Sequence, residues 1–331
     1  MADAVRDVIK AYESGRLIGS RPNARAQAEL ASYGAPSVDW ALSGLDLLGA
    51  GAGKLWLPYL YFYDHYKGCW PGPGQLIGDC VVQTSARAAA TTMGTEGVSG
   101  KPDEETGKVE ELPEVSPEAV KNGVLACEPN YHLRGHRGDG WDCASAANAL
   151  VRYSGAVLRQ DYGFVDLTKY SPKYAQQYYT QGQVPSRDRE AFGKNRFRDA
   201  AECKSYEAVR DSSALGLGII TCGSEAWQDT RDENGVAKRA SGTWYHALPI
   251  MGVDDRPEVI ERYRDPLVLM GQTWGRGWGR GGRRILGTDI EIPEGWFWAK
   301  WSDARQRLYI SIAGLNGWAR RLLPDLKPGW N

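Results

Sequence analysis

The fold of this chain is decided by the stretch Gln75-Leu76-Ile77-Gly78-Asp79-Cys80 and the run that follows it, Val81 to Met93. This run is rich in alanine and contains no Gly or Pro, which predicts a buried helix with Cys80 at its N-terminus. The unpaired N–H groups of a helix N-terminus stabilise a thiolate, so Cys80 is a candidate nucleophile. Gly78 permits a sharp turn before the helix. A small apolar residue at a helix start has the same local pattern, so the role of Cys80 depends on the rest of the chain.

Four histidines are available as a general base: His65, His132, His136 and His246. His65 lies in an aromatic run and is expected to be a packed or surface ring. His246 begins an apolar run that continues to Val253 and predicts a strand. A histidine at a strand start beside a helix-capping cysteine would form a thiolate–imidazolium pair, although a buried histidine of the core fits the same position.

A third polar group precedes a turn with two Trp-Gly pairs, in Gln272-Thr273-Trp274-Gly275-Arg276-Gly277-Trp278-Gly279. In this order, Cys80, His246 and Gln272 resemble the catalytic residues of the papain-like cysteine peptidases. That family has an asparagine before Ser-Trp-Gly, whose side-chain oxygen orients the imidazole. Gln272 has the same acceptor on a stem one methylene longer. Gln75 resembles the family's oxyanion-hole glutamine, one residue closer to the cysteine than usual.

Further segments resemble the family in the same order along the chain, from about residue 75 to residue 301. The resemblance implies a substrate groove lined by Asp79, Gly138, Asp139, Gly140 and Trp274. A helix and glycine stop follow at 144–155, and a helix, a strand and an aromatic turn follow at 208–228. The implied fold class is α+β, a papain-like two-lobed fold. A helical lobe is headed by Cys80, and a β-barrel-like lobe carries the other two catalytic residues.

The predicted domain organisation places this papain-like domain at residues 71–310. Residues 1–70 are expected to be a helical and aromatic extension that docks a partner or self-assembles. Within it, helices are predicted at 5–12, 24–33 and 38–48, and the aromatic run 56–66 is interpreted as a strand or a docking surface. An acidic, proline-containing loop is predicted at 94–117, and a tail at 311–331.

Composition limits the classes of function. The net charge of −1 argues against non-specific nucleic-acid binding by the whole molecule. No apolar run approaches the length of a membrane span, and neither a secretion signal nor an inhibitory pro-segment is recognised. We therefore expect reduced cysteines and a cytoplasmic or virion-associated protein.

Two other patterns carry alternative chemistry. Cys127, His132, His136 and Cys143 have spacings that a zinc site can use, but they are not those of a standard finger, so unliganded residues are expected. The arginine- and glycine-rich segment 275–284 resembles a nucleic-acid-binding segment, although its tryptophans fall where the peptidase pattern has them. Its four arginines remain candidates for binding an acidic group.

The favoured function is cysteine-dependent hydrolysis of a peptide or isopeptide bond through an acyl-enzyme on Cys80, with His246 as general acid and base and no cofactor. Its partner would be a polypeptide substrate. One alternative is a structural or assembly protein, for example virion-associated, that keeps the fold with weak or no catalysis. A second is a cell-wall amidase or endopeptidase that uses the same chemistry on a peptidoglycan stem peptide.

Overall fold

The alanine-rich run after Gly78 forms the longest helix of the protein, Cys80–Ser99, in a computed structural model that describes residues 49, 51–99, 112–180, 183–197 and 199–313. Almost every side chain along its first 16 residues is buried, because small residues let neighbouring backbone approach from all sides. This helix therefore runs through the middle of the molecule and carries Cys80 at its first position.

Helices and strands are numbered here in chain order within the described residues. The helices are α1 (Tyr59–His65), α2 (Cys80–Ser99), α3 (Pro117–Lys121), α4 (Glu128–His132), α5 (Cys143–Arg152), α6 (Pro172–Ala175), α7 (Ser186–Phe192), α8 (Tyr206–Ala214), α9 (Pro257–Tyr263) and α10 (Trp301–Ala304). The strands are β1 (Leu55–Trp56), β2 (Asp199–Glu202), β3 (Gly218–Arg231), β4 (Ala237–Asp254), β5 (Leu267–Met270), β6 (Phe297–Lys300) and β7 (Leu308–Ala313).

The strands form one antiparallel sheet in the order β2-β7-β3-β4-β5-β6, with β1 paired to β4. Its centre is the long β3–β4 hairpin, which places Gly223 opposite His246 and Cys222 opposite Ala247. Helix α2 packs against both strands of this hairpin and against α1. The thiol-bearing helix and the histidine-bearing strand therefore belong to a single core.

Helix α2 extends six residues beyond the predicted end at Met93. Residues 94–99, predicted as the start of an acidic loop, are helical. Residues 100–111 lie outside the described part, and residues 112–116 have no regular secondary structure. Gly94 interrupts the alanine run because a Cβ atom there would lie 2.5 Å from the backbone nitrogen of Phe62. This glycine lets α1 cross α2 closely, and the contact overrides the low helix propensity of glycine.

The aromatic run 56–66 is mainly helix α1, instead of the predicted strand or docking surface. Tyr59, Leu60, Tyr61 and Phe62 are buried, and the ring of Tyr59 packs edge-on against Trp296 at 5.1 Å. The run therefore forms part of the main core. The helices predicted at 5–12, 24–33 and 38–48 lie outside the described residues, as does the tail after residue 313, whereas 311–313 end strand β7.

Local signals account for several helix starts. Ser116, Asp142, Ser171 and Ser205 each accept a hydrogen bond from a backbone N–H of the first turn of α3, α5, α6 and α8. The helix predicted at 144–155 is α5, and the helix and strand predicted at 208–220 are α8 and the start of β3. The aromatic turn predicted at 225–228 lies within β3, because the hairpin is longer than the pattern implied. In the described part of the chain, no helix is long and apolar enough to cross a membrane.

Candidate active site

Cys80 lies at the first position of α2, where the carbonyl of Asp79 already accepts hydrogen bonds from the N–H groups of Val82 and Gln83. Its side chain is fully buried, and its Sγ atom accepts a hydrogen bond from the backbone N–H of Ala247 at 3.4 Å. The thiol is therefore held at a helix N-terminus, against the residue that follows His246.

The hydrogen bond expected between His246 and Gln272 is present. The Nε2 atom of His246 lies 2.7 Å from Oε1 of Gln272, and this amide oxygen also accepts from the backbone N–H of Thr273 at 2.8 Å. An amide oxygen only accepts, so Nε2 carries the proton and Nδ1 is the basic nitrogen of the neutral ring. The longer glutamine stem is accommodated because the side chain turns back onto its own backbone.

Trp274 covers this hydrogen bond. Its ring stacks on His246 at 4.8 Å and an angle of 24°, and both side chains are fully buried. Trp274 packs in turn on Trp244 at 4.7 Å. The Trp-Gly turn thus supplies an apolar cover that excludes water from the imidazole–amide pair.

Burial, together with the positive charges of Arg307 and Arg87, lowers the pKa of His246 to about 3, against the opposing effect of the Gln272 hydrogen bond. The imidazole is therefore neutral at neutral pH in this arrangement. That protonation state differs from the thiolate–imidazolium pair expected from the sequence, because a fully buried ring beside two guanidinium groups does not readily hold a proton.

Gln75 connects the segment before Cys80 to the segment after Gln272. Its Nε2 donates to the carbonyl of Ile77 at 2.5 Å, and its Oε1 accepts from the hydroxyl of Thr273 at 2.9 Å. The backbone N–H of Gln75 donates to the carbonyl of Thr273 at 2.8 Å. Because the hydroxyl of Thr273 also lies 3.3 Å from Nε2 of His246, Gln75 and the imidazole share one buried network.

The glycine turn that resembles a substrate groove packs directly on the loop before Cys80. The N–H of Gly140 donates to the carbonyl of Gly78 at 3.0 Å. A Cβ atom at Gly78 would lie 2.4 Å from the Cβ of Asp139, so only glycine fits there. Gly138 has a φ of 84°, which any other residue would adopt with strain.

Asp79 points into the protein. Its carboxylate is fully buried and accepts a hydrogen bond from the hydroxyl of Tyr170 at 2.8 Å. Burial raises the pKa of this carboxyl to about 7, with smaller contributions from Glu128 and Asp139 in the same direction. The carboxyl group that precedes Cys80 in the chain therefore titrates near neutral pH.

The residues with zinc-like spacing are not brought together. The ring nitrogens of His132 contact the carbonyl of Tyr174 and the hydroxyl of Tyr179, and His136 contacts the carbonyl of Arg137. Cys127 contacts Glu128, and Cys143 contacts Cys222. Among the residues that the structure describes, no group of three or more metal-ligating side chains occurs. All six cysteines are free thiols.

The arginines of the segment 275–284 are each paired with a carboxylate. The pairs are Arg276–Glu294, Arg280–Asp229, Arg283–Glu291 and Arg284–Asp289, at 2.9 to 3.7 Å. Three of them line a groove of about 480 Å³ between α1 and residues 276–294, which does not include Cys80. Acidic neighbours therefore offset the positive charge of this segment.

Two buried arginines contact the site and were not singled out from the sequence. Arg87 of α2 donates to the carbonyl of Gln272 at 2.6 Å, and Arg307 donates to the carbonyl of His246 at 2.6 Å. Arg87 interrupts the alanine run of α2, and Arg307 directly precedes the apolar strand β7. A charge within an apolar run is the signal that would have drawn attention to Arg87.

No protein-family model matches the sequence, and no curated protein matches it significantly. Among solved structures, procathepsin B S9 from Trypanosoma congolense is similar over 91% of this chain and 88% of its own, with a TM-score of 0.50 and 11% identity. Xylellain, a cysteine protease from Xylella fastidiosa, is similar over 73% of this chain and 81% of its own, with a TM-score of 0.45 and 12% identity. At such identity the likeness is one of fold, and the expected fold class is confirmed.

Proposed function

We propose that this chain, which has the fold of the papain-like cysteine peptidases, hydrolyses a peptide or isopeptide bond through an acyl-enzyme on Cys80. His246 acts as general base and then general acid, and Gln272 orients its ring. The observation that carries the proposal is the arrangement around His246. Its Nε2–H is held by Gln272 at 2.7 Å under Trp274, while the next residue contacts the thiol of Cys80.

A neutral imidazole defines how the reaction starts. As Sγ of Cys80 attacks the substrate carbonyl, the thiol proton passes to His246, and a tetrahedral oxyanion forms. The backbone N–H of Cys80 at the helix N-terminus and the amide of Gln75 are the proposed donors to that oxyanion. His246 then gives its proton to the leaving amine as the C–N bond breaks. Water, deprotonated by His246, releases the acyl group and restores the thiol.

A peptidyl electrophile that alkylates nucleophilic thiols tests the proposal. We expect it to label Cys80 at pH 6 much faster than the other five cysteines, because Cys80 opens helix α2 and its thiol contacts the residue that follows His246. Labelling should disappear in Cys80→Ser and slow by about 10²- to 10⁴-fold in His246→Ala, the usual contribution of a general base.

Cys69→Ala is the matched control, because Cys69 is also fully buried but is not part of this site. Its removal should leave the labelling rate unchanged. Equal labelling of Cys69 and Cys80, or a rate for Cys80 that rises only above about pH 8, as for an ordinary thiol, contradicts the proposal.

A structural or assembly role with weak catalysis is the second candidate, and the burial of the site favours it. Cys80, His246, Gln75 and Gln272 all have no exposed surface, so a substrate needs an opening movement to reach the thiol. A folded protein whose Cys80 resists the electrophile at every pH, and which cleaves no peptide, supports this role. If labelling succeeds, cleavage of peptidoglycan stem peptides but not of unstructured polypeptides supports the amidase alternative.

A further inference from the structure

The carbonyl group of His246 is held by a buried ion pair. Nη2 of Arg307 donates to this carbonyl at 2.6 Å, and Nη1 of the same side chain pairs with Glu225 at 3.0 Å. The side chains of Arg307 and Glu225 are 0% and 3% exposed, so neither charge is screened by water. A buried charge pair is costly to form, and removing one partner leaves an uncompensated buried charge.

Further contacts hold the Arg307–Glu225 pair in place. Nε of Arg307 donates to the hydroxyl of Thr221 at 3.2 Å, and its guanidinium lies 5.3 Å from the centre of the Trp227 ring. Gly223 is the register partner of His246, and a Cβ atom there would lie 2.3 Å from Oε2 of Glu225. Glycine at position 223, opposite His246, therefore leaves room for the carboxylate of Glu225.

We infer that the Arg307–Glu225 ion pair positions His246 for proton transfer and balances the positive charge next to it, which makes Arg307 a positioning residue of the proposed hydrolase. The hydrogen bond to the carbonyl fixes the backbone from which the imidazole extends. The carboxylate of Glu225 offsets the field of a guanidinium that otherwise opposes protonation of the ring. Both effects act through His246, because the guanidinium donates to the His246 carbonyl and the carboxylate pairs with that guanidinium.

Other charged and uncharged groups also surround the His246 ring. The charged and titratable neighbours are Arg87 on α2, which also opposes protonation, and Cys80 at its N-terminus. Gln272, Thr273 and Trp274, from the segment after β5, are uncharged. Among these groups Glu225 carries a negative charge and Arg307 is one of two positive charges, so removing Glu225 or Arg307 should have opposite effects on the ring.

The test uses charge-altering variants of the full chain and follows the ring titration of His246 by NMR. In Glu225→Gln an uncompensated guanidinium remains, so the ring should take up its proton at lower pH than in the wild type. In Arg307→Met an uncompensated carboxylate remains, so the ring should protonate at higher pH, by roughly one unit or more. The double variant should lie between the two. Shifts of the same sign in both single variants, or no shift, overturn the inference.

Charge-conserving variants test the positioning role and remain informative if the first variants do not fold. Arg307→Lys keeps the charge but cannot bridge the His246 carbonyl, Thr221 and Glu225 at once. We expect nearly the wild-type ring titration, with kcat lowered on the order of 10- to 100-fold at unchanged KM. A folded Arg307→Lys variant with wild-type kcat contradicts positioning.

Glu128 and Arg159 provide a matched control, because they form another fully buried ion pair, at 3.1 Å. Glu128→Gln should leave the His246 titration where it is in the wild type. If Glu128→Gln shifts the His246 titration as Glu225→Gln does, the shift reflects general destabilisation of the fold and not the Arg307–Glu225 pair. The ring titration needs no turnover, so this inference can fail while hydrolysis is observed, and it can hold in a protein that proves inactive.

Discussion

Gln272 illustrates how one residue can depart from a family pattern and keep its geometry. A longer stem would carry the amide past the imidazole if it were extended. Instead, its oxygen accepts from both the His246 ring and the N–H of Thr273, so the side chain folds back toward the backbone. The hydrogen bond from Thr273 thus compensates for the longer side chain of glutamine.

This geometry makes a prediction about Gln272→Asn, the substitution that restores the family residue. The backbone at this position is set for the longer side chain, because Arg87 holds the Gln272 carbonyl. The shorter amide should therefore fall short of the ring, and we expect kcat of the proposed hydrolysis to fall about 10-fold or more with little change in KM. Thr273→Ser, which keeps the hydroxyl that contacts Gln75 and His246, should stay near wild type. A Gln272→Asn variant faster than wild type would show that the glutamine orients the ring poorly.

The buried carboxyl of Asp79 should make folding stability depend on pH. Its pKa is about 7 in the folded protein against an ordinary value of 3.8, so between these values the folded state holds a proton that the unfolded state has released. Folding stability therefore falls as pH rises through this window and is lowest above pH 7. Asp79→Asn keeps an acceptor for Tyr170 and removes the charge. By urea unfolding, the variant should match wild type near pH 4 and exceed it at pH 8 by about 1–4 kcal/mol.

Asp166 provides a control of opposite sign. This exposed carboxyl accepts hydrogen bonds from the hydroxyl and N–H of Thr168, and these bonds lower its pKa. Its contribution to stability is present above its unfolded pKa and is lost as pH falls through the folded value. Asp166→Asn should therefore lose a little stability at pH 8. A gain at pH 8 in both variants would mean that net charge, and not burial of Asp79, is responsible.

At the scale of elements, the crossing of α1 and α2 depends on one glycine. A Cβ atom at Gly94 would lie 2.5 to 2.7 Å from the backbone and Cβ of Phe62, whereas one at Gly97 would first meet the flexible side chain of Leu112 at 3.0 Å. We expect Gly94→Ala to destabilise the protein by about 1–3 kcal/mol, as overpacking does. Gly97→Ala should be neutral or stabilising, since alanine favours the helix.

Thermal unfolding of the two alanine variants checks this prediction. Because both positions lie on one helix, the difference between them isolates the contact with α1 from helix propensity. Equal unfolding temperatures would mean that α1 moves away at little cost and does not belong to the rigid core.

For the whole molecule, the structure changes where the folded domain begins. Strand β1 pairs with β4, and α1 packs on α2 and Trp296, so residues from about 55 onward belong to the same core as Cys80. The proposal that an N-terminal segment docks a partner or self-assembles therefore concerns residues before 49, which lie outside the described part.

Two shortened chains test this boundary. A chain starting at residue 49 should stay folded and keep its Cys80 labelling, whereas a chain starting at residue 71 should be insoluble, because it lacks α1 and β1. Circular dichroism and electrophile labelling report fold and site separately. If the chain starting at 71 folds and labels normally, the aromatic run is an accessory layer. If the chain starting at 49 also loses its fold, the earlier residues belong to the core.

The order of the main elements could be predicted from local sequence patterns. The alanine-rich helix after Cys80, the strand that begins near His246 and the Trp-Gly turn after Gln272 are local patterns of propensity and periodicity, and such patterns can be recognised without knowing what packs against them. The contact of Gln272 with His246 also follows from the sequence, because the resemblance implied which acceptor faces which ring.

The charge state of the site depends on long-range packing that local patterns do not contain. The neutral His246 depends on full burial and on Arg87 and Arg307, which lie 159 residues before and 61 residues after it in the chain. The inward turn of Asp79, the incorporation of the aromatic run into the core and the dispersal of the zinc-like residues are likewise set by long-range packing. Desolvation and charge–charge energies depend on distances in the folded molecule, and sequence separation does not encode those distances.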